Sequence, residues 1–164
     1  MKNESIKAYS YRISQATPVQ LVVIMYDMAI EYINDALAVS AENAGTEADY
    51  TAYRQNIKYA KRVIDQLSNG LDMQYEISAE LLKIYITMSR YLIKAAADKE
   101  DKLLQSVIKM LERLRQSFYE ISKNDTSEPV MKNTQQVYAG LTYSSLGNSN
   151  EYSEDPIKNR GYTV

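Results

Sequence analysis

Two pairs of carboxylates at helical spacing are the residues of this sequence best placed to do chemistry. Asp27 lies four residues before Glu31, and Glu76 lies four residues before Glu80. Each pair would project from one face of a helix, as do the acids that hold two iron ions in some helical bundles. Such a site also needs Glu-x-x-His motifs, and the chain contains no histidine. We therefore expect these acids to be solvated or to cap helices.

Other catalytic constellations are also missing. With no histidine and no cysteine, the chain lacks the usual base of an activated nucleophile and the commonest ligands of transition metals. The five glycines are scattered along the chain and do not form a phosphate-binding loop. The sequence therefore predicts a protein that is not an enzyme and that binds neither a metal nor a cofactor.

Charge and hydropathy argue against two classes of partner. The 19 basic and 21 acidic residues are mixed along the chain, so we expect no basic surface for nucleic acid. The first apolar run is shorter than the roughly 20 apolar residues of a membrane span, and no secretory signal precedes it. We expect a cytoplasmic protein without membrane insertion.

The helices that must position these residues are visible as apolar periodicity. Thr17, Pro18 and Gln20 form a helix start, with a hydroxyl N-cap, a proline in the first turn and a capping-box glutamine. The helix that begins there is expected to reach about residue 42. Three further segments carry apolar residues at alternating steps of three and four, which is typical of packed helices. Their periodicity begins at Tyr50, Ile77 and Leu104.

The predicted fold is all-α, an antiparallel up-down four-helix bundle. The connections between the predicted helices are short, so successive helices must run antiparallel. The bundle domain is expected to span residues 1–123, with residues 1–16 as an N-terminal capping segment. After residue 123 the periodicity ends and Ser, Asn, Thr, Gly and Pro become frequent. Residues 124–164 are expected to form an irregular tail, partly disordered or docked on the bundle.

Tyrosine dominates the aromatic residues. The chain has 15 tyrosines, one phenylalanine and no tryptophan. A tyrosine ring is apolar, but its hydroxyl needs a polar partner when it is buried. The composition therefore predicts that most tyrosines lie at half-buried surfaces and interfaces and not in a deep core.

The first predicted helix carries more apolar surface than a bundle can bury. Between Leu21 and Ile30 the only charged side chain is Asp27, and a rotation of about 100° per residue spreads apolar groups all round its first turns. A bundle covers one side of each helix, and each large apolar side chain left in water forfeits roughly 1.5 to 3 kcal/mol. The cover could be the N-terminal segment, the tail, a second copy of the chain or a different protein.

The sequence resembles the flagellar export chaperone family FliS over about residues 5–123. IKAY (residues 6–9) matches the family's N-terminal segment, and ATP..L..IMYDMAI (residues 16–30) resembles TASP..L..MLYDGAI. LD (residues 71–72) followed by EI (residues 76–77) matches the family's connection into the third bundle helix. IYITMSRYLI (residues 84–93) resembles LYDYMIRRLI. The order and spacing of these matches together carry the resemblance.

The resemblance implies a cytosolic export chaperone that binds the disordered C-terminal segment of flagellin. Binding would prevent premature polymerisation and deliver flagellin to the flagellar type III export gate. Ile6 and Tyr9 would dock on the gate protein FlhA. The residues expected to bind flagellin are Leu21, Ile24, Met25, Met28, Tyr32, Tyr85 and Met88.

A second hypothesis belongs to a different class of protein. The apolar excess of the first predicted helix would also fit a self-associating helical scaffold or adaptor, with that helix as a permanent dimer interface. A homodimer of the free chaperone is a further association that the sequence leaves open. The tail segment VYAGLTYSSL (residues 137–146) could lie in the client groove as an internal lid. Measurements of flagellin-peptide binding and of the oligomeric state would distinguish the chaperone hypothesis from the scaffold hypothesis.

Overall fold

Five α-helices make up the part of the chain that the computed structural model describes, residues 3–41 and 46–131. They are α1 (Asn3–Ser14), α2 (Pro18–Ala41), α3 (Glu47–Asn69), α4 (Glu76–Asp98) and α5 (Asp101–Ser122). Helices α2 to α5 are the four that the periodicity predicts, so the all-α class is confirmed. The tail segment considered as an internal lid, residues 137–146, lies outside the described residues.

Helices α2 to α5 form the bundle. Helix α2 packs on α3 and α5, and α4 packs on the same two helices. Helices α2 and α4 are therefore diagonal neighbours, and the short connections make successive helices antiparallel. None of the described helices is long and apolar enough to cross a membrane.

The N-terminal segment is helical, which the sequence did not predict. Helix α1 has 12 residues, and an isolated helix shorter than about 12 to 15 residues is marginal in water. It packs on α2, outside the square of bundle helices. Its helical form therefore depends on that contact more than on its own sequence.

The start of α2 is capped as predicted. The Thr17 hydroxyl oxygen accepts a hydrogen bond from the Gln20 backbone N–H at 3.3 Å, and the Gln20 side-chain oxygen accepts one from the Thr17 N–H at 3.1 Å. The Thr17 hydroxyl also donates to Asp125 Oδ2 at 2.5 Å. Hydrogen bonds from Ser127 and Thr17 lower the pKa of Asp125 to about 2. Asp125 is therefore an ionised acceptor throughout the neutral range.

The chain that follows α5 returns to the turn between α1 and α2. The Val130 backbone N–H donates to the Ala16 carbonyl oxygen at 3.0 Å. With the bond between Thr17 and Asp125, this contact fixes residues 123–131 across that turn. The first residues of the predicted tail are thus bonded to the bundle domain.

Three tyrosines lie in the bundle core. Tyr26, Tyr53 and Tyr85 are at most 2% exposed. The hydroxyls of Tyr26 and Tyr85 are 2.5 Å apart, and the Tyr53 hydroxyl donates to Asp101 at 3.1 Å. Burial and the bond to Tyr85 raise the pKa of Tyr26, which keeps it protonated. The expectation that tyrosine avoids the deep core is wrong for these three, because each hydroxyl has a partner inside.

Aliphatic side chains from all four bundle helices complete the core. The largest of the other fully buried side chains are Ile33, Ile64, Met88, Leu92, Leu104, Val107 and Leu111. Among the described residues, no buried side-chain nitrogen or oxygen lacks a hydrogen-bond partner. The bundle therefore combines an apolar core with a few fully satisfied polar groups, which favours one packing arrangement.

Replacing Thr17 with alanine should lower the free energy of unfolding by about 1 kcal/mol, a typical value for a lost N-cap. Alanine can neither accept from the Gln20 N–H nor donate to Asp125. Urea denaturation followed by circular dichroism measures the change. Thr51→Ala is the matched control, because Thr51 is exposed and donates within α3 to the Glu47 carbonyl. Equal losses in the two variants would contradict the capping role.

Candidate functional site

Helix α1 forms a thin cover on α2. Of the side chains described in α1, only Ser14 is buried. Tyr9 and Ile13, four residues apart, are half-buried on the face toward α2, whereas Ile6 and Tyr11 are exposed. Helix α1 thus lies on the bundle without contributing a fully buried apolar side chain among its described residues.

Ile24 is buried although it lies outside the bundle core. It is 4% exposed, yet it does not belong to the cluster of core side chains that α2 shares with α3, α4 and α5. Ile24 precedes Asp27 by three residues and Glu31 by seven, so the three side chains share one face of α2. Because Asp27 and Glu31 contact α1, we assign the cover of Ile24 to α1. Helix α2 is the helix on which the scaffold hypothesis placed a dimer interface.

Asp27 joins three helices. One carboxylate oxygen accepts a hydrogen bond from Arg12 of α1 at 2.7 Å, and the other accepts one from Nε of Arg115 of α5. The Asp27 side chain is 15% exposed, so it needs these cations as partners. The expectation that Asp27 would be solvated or cap a helix is therefore wrong. Glu76 and Glu80, in contrast, are exposed as expected.

A second polar contact joins α1 to α2. The Tyr9 hydroxyl bonds to Glu31, and partial burial together with this bond raises the pKa of Tyr9. Tyr9 is therefore a neutral donor at physiological pH. The Arg12 guanidinium lies 5.5 Å from the centroid of the Tyr9 ring, within the range of a cation–π contact. Contacts of this kind close to solvent are individually weak, about 1 kcal/mol or less.

A cleft of about 360 Å³ opens beside α1, between α2 and α5. Its walls are both apolar and charged. The lining residues are Tyr9, Asp27, Ile30, Glu31, Asn34, Glu112 and Arg115. Because Tyr9 forms part of the wall, withdrawal of α1 would widen the cleft into a groove over Ile24. Within residues 3–41 and 46–131 no group of three or more acidic side chains could hold a metal ion.

Four of the residues predicted to bind flagellin form a half-buried row along α2, which we call the α2 stripe. They are Leu21, Met25, Met28 and Tyr32. Steps of four, three and four residues place them on one face, beside the face that α1 covers. The stripe runs along the edge of α3, because the Tyr32 ring lies 5.2 Å from the Tyr59 ring.

The remaining predicted site residues lie in different environments. Tyr85 and Met88 are core side chains, which a client could reach only if the bundle opened. Ile24 is buried outside the core, Ile6 is exposed, and Tyr9 is half-buried and bonded to Glu31 of α2. The roles of all these residues in binding flagellin or the export gate stay predictions.

Sequence reasoning missed the two arginines that pair with Asp27, one from α1 and one from α5. Asp27 in an apolar stretch is a signal that a cationic partner must exist, because an unpaired charge is costly to bury. The signal does not identify the partner. Arg12 is 15 residues away and Arg115 is 88 residues away along the chain, so only the packing of α1 and α5 on α2 selects them.

Replacing Arg12 with alanine should speed amide hydrogen exchange in α1 by up to about fivefold, since an exposed ion pair contributes about 1 kcal/mol or less. Exchange measured by mass spectrometry on peptides from residues 5–14 reports the change. Lys7→Ala is the matched control, because Lys7 is an exposed residue of the same helix. An unchanged rate in Arg12→Ala, or an equal increase in Lys7→Ala, would contradict the anchoring role of Arg12.

A family match covers most of the chain. The family model described as flagellar protein FliS matches residues 1–125, which include all five helices. This match confirms the resemblance seen in the motifs. A comparison with curated proteins found no match.

Proposed function

Because this chain belongs to the FliS family of flagellar proteins, we propose that it binds the C-terminal segment of flagellin and delivers it to the export gate. The family is one of flagellar export chaperones and is not known for enzymes. The identity of the client segment and the delivery step are our proposal. Their support lies in the way α1 covers α2.

The observation that carries the proposal is that Ile24 is buried although it does not belong to the bundle core. A side chain of the core is covered by the three other bundle helices, and its cover cannot leave without unfolding. We infer that Ile24 is covered instead by α1, because Asp27 on the same face of α2 bonds to Arg12 of α1. The bundle does not need α1 for its own core. An apolar helix from another chain could therefore replace α1 while the bundle stays folded.

The client that fits such a groove is an amphipathic helix. Its apolar face would cover Ile24 and extend along the α2 stripe, in the helix-in-groove mode of recognition. Asp27 would keep Arg115 as its partner when Arg12 leaves, so the exchange would not leave an unpaired charge. A basic side chain of the client could take the place of Arg12.

The action of the chaperone would be physical. Burying the apolar face of a flagellin segment removes the surface through which flagellin subunits associate. Ordering a disordered client costs free energy and keeps its affinity below what the contact area suggests. Displacing α1 lowers the affinity further, which would favour release at the gate.

The residues proposed to dock on FlhA differ in access. Ile6 is exposed in α1, whereas Tyr9 contacts Glu31 and Arg12. Release of α1 would free Tyr9 for the gate. Client loading and gate docking would then be coupled through the same helix.

A flagellin C-terminal peptide should bind the protein in a one-to-one complex, measurable by isothermal titration calorimetry. Met28→Lys should weaken binding at least tenfold, because it places a charge in the α2 stripe. Arg12→Ala should tighten binding by up to about fivefold, because the competing cover is held less firmly. Lys7→Ala should leave the affinity unchanged.

Two outcomes would count against the proposal. If the peptide does not bind at concentrations of about 100 µM, the flagellin segment is not the client. That concentration is far above the dissociation constant expected of a functional chaperone. If Met28→Lys binds the peptide with unchanged affinity, the α2 stripe is not the binding site. Circular dichroism of Met28→Lys shows whether the bundle is still folded.

Ile6→Asp should weaken binding to the cytoplasmic domain of FlhA at least fivefold and leave the affinity for the flagellin peptide within twofold. The reason is that Ile6 is about half exposed, so it adds little to the cover that α1 gives to α2. Pull-down of the peptide-loaded complex measures the first effect, and calorimetry measures the second. Lys7→Ser is the control for a substitution beside Ile6. A parallel loss of both interactions would mean that Ile6 acts on the fold of α1.

A further inference from the structure

The side of the bundle formed by α3 and α4 carries an exposed apolar strip. The Ser89 hydroxyl of α4 donates to Asp65 Oδ1 of α3 at 3.5 Å, which identifies the edge of α4 that faces α3. Leu82 and Ile86 lie seven and three residues before Ser89, and Ile93 lies four residues after it, so all three share that edge. Ile86 and Ile93 are 49% and 56% exposed, and Leu82 is half-buried. We call these three side chains the α4 strip, which at 1.5 Å per residue is roughly 16 Å long.

A basic row on α3 borders the α4 strip on one side. Steps of four, three and four residues back from Asp65 follow the edge of α3 that faces α4. The members of this row are Lys61, Lys58 and Arg54. Lys58 and Arg54 are exposed, and Lys61 is half-buried.

A second basic row borders the strip on the outer side of α4. Three triplets of successive residues each begin with a core side chain, continue on the edge that carries the strip and end with a base. They are Leu81–Lys83, Met88–Arg90 and Leu92–Lys94. Because successive residues rotate by about 100°, each base lies about 200° round the helix from its core residue. All three bases are therefore exposed.

Most of these bases are not neutralised by the protein itself. Among the described residues, Lys61 pairs with Asp65 and Lys94 pairs with Glu100. The other four bases of the two rows take part in no ion pair within that part of the chain. Glu47 and Glu76 follow the same rows but lie at the ends of their helices. The charges that are mixed along the sequence thus separate on this surface, because its rows come from two different helices.

We propose that this surface binds an acidic amphipathic helix of another protein, distinct from the client of the α2 groove. The apolar side chains of that helix would pack on Ile86 and Ile93, and acidic residues on its two flanks would pair with the bases of α3 and α4. A single apolar row between two basic rows fits one helix, whose diameter with side chains is about 10 Å. The recognition is again of the helix-in-groove type.

The order of the rows favours a helix over an anionic lipid surface. Lysine and arginine side chains are longer than isoleucine and carry their charge at the tip. A flat bilayer would therefore meet the two basic rows before it reached Ile86 and Ile93. The apolar side chains of a helix, in contrast, can enter between the rows and cover the α4 strip.

This surface is separate from the groove under α1. The α2 stripe follows the other edge of α3, where Tyr32 lies beside Tyr59, and α1 packs on α2. The acidic partner and the flagellin client can therefore be bound at the same time.

Two synthetic peptides test the charge requirement. Each has about 18 residues with leucine at steps of three and four along one face, and they differ in carrying glutamate or lysine on both flanks of that face. Fluorescence anisotropy at about 50 mM salt should give the acidic peptide a dissociation constant below about 100 µM and the basic peptide one at least tenfold higher. About 500 mM salt should weaken binding of the acidic peptide at least fivefold, because exposed charges are screened.

Charge reversal in the protein locates the site. Lys58→Glu and Arg90→Glu, one from each basic row, should each weaken binding of the acidic peptide at least fivefold. Lys109→Glu is the matched control, because Lys109 is exposed on α5, and it should change the affinity less than twofold.

A serine substitution tests the α4 strip. Ile86→Ser should weaken binding of the acidic peptide at least fivefold. Ile77→Ser is the matched control, because Ile77 is 59% exposed in the same helix and lies nine residues before Ile86, on the opposite side. Circular dichroism of each variant shows whether the bundle is still folded.

Three results would overturn the proposal. They are no binding of the acidic peptide, equal affinity for the two peptides, or equal losses in Arg90→Glu and Lys109→Glu. Sedimentation with vesicles of phosphatidylcholine and phosphatidylglycerol tests the lipid surface. Binding to these vesicles that Arg90→Glu abolishes, without binding of the acidic peptide, would assign the surface to lipid and would also overturn the proposal.

The flagellin peptide keeps the two proposals distinct. Arg90→Glu should leave its affinity within twofold of the wild type, because Arg90 is remote from the α2 stripe. A parallel loss of flagellin binding would assign this surface to the client instead of a second partner. A wild type that binds the flagellin peptide but not the acidic peptide would overturn only the present inference.

Discussion

Helix α2 is apolar on more sides than its bundle neighbours cover, and this constraint determines the arrangement of the elements around it. Its core side chains, such as Tyr26 and Ile33, are buried by α3, α4 and α5. Ile24 on the opposite side is buried as well, on the face of α2 where Asp27 bonds to Arg12 of α1. One helix therefore carries two kinds of burial, one that belongs to the bundle and one on the face toward α1.

Asp27 determines how that neighbour is attached. A single carboxylate between Arg12 and Arg115 fixes the position of α1 without adding apolar contact area. Polar contacts of this type fix the orientation and register of one helix on another but add little to the free energy of unfolding. A large apolar anchor in the same place would bury more surface and hold α1 more firmly.

Features that depend on neighbouring residues were predictable from the sequence, whereas features that depend on distant partners were not. The capping box of Thr17 and Gln20 forms as predicted because its partners are three residues apart. The four bundle helices follow from their apolar steps. Helix α1 was missed because it is short and needs α2, and the buried tyrosines were missed because Tyr26 meets a partner 59 residues away. In the candidate site, the sequence indicated the apolar excess and Asp27 but not which side chains α1 covers.

The turn between α1 and α2 has a consequence for the return of α1 to its groove. Ala16 and Thr17 are bonded to Val130 and Asp125, so the turn that follows α1 would stay fixed if a client displaced the helix. The displaced α1 would remain tethered close to Ile24 at a high effective concentration, which for short tethers is in the millimolar range. The groove would thus be re-covered by its own chain faster than a free competitor could reach it, once a guest dissociates.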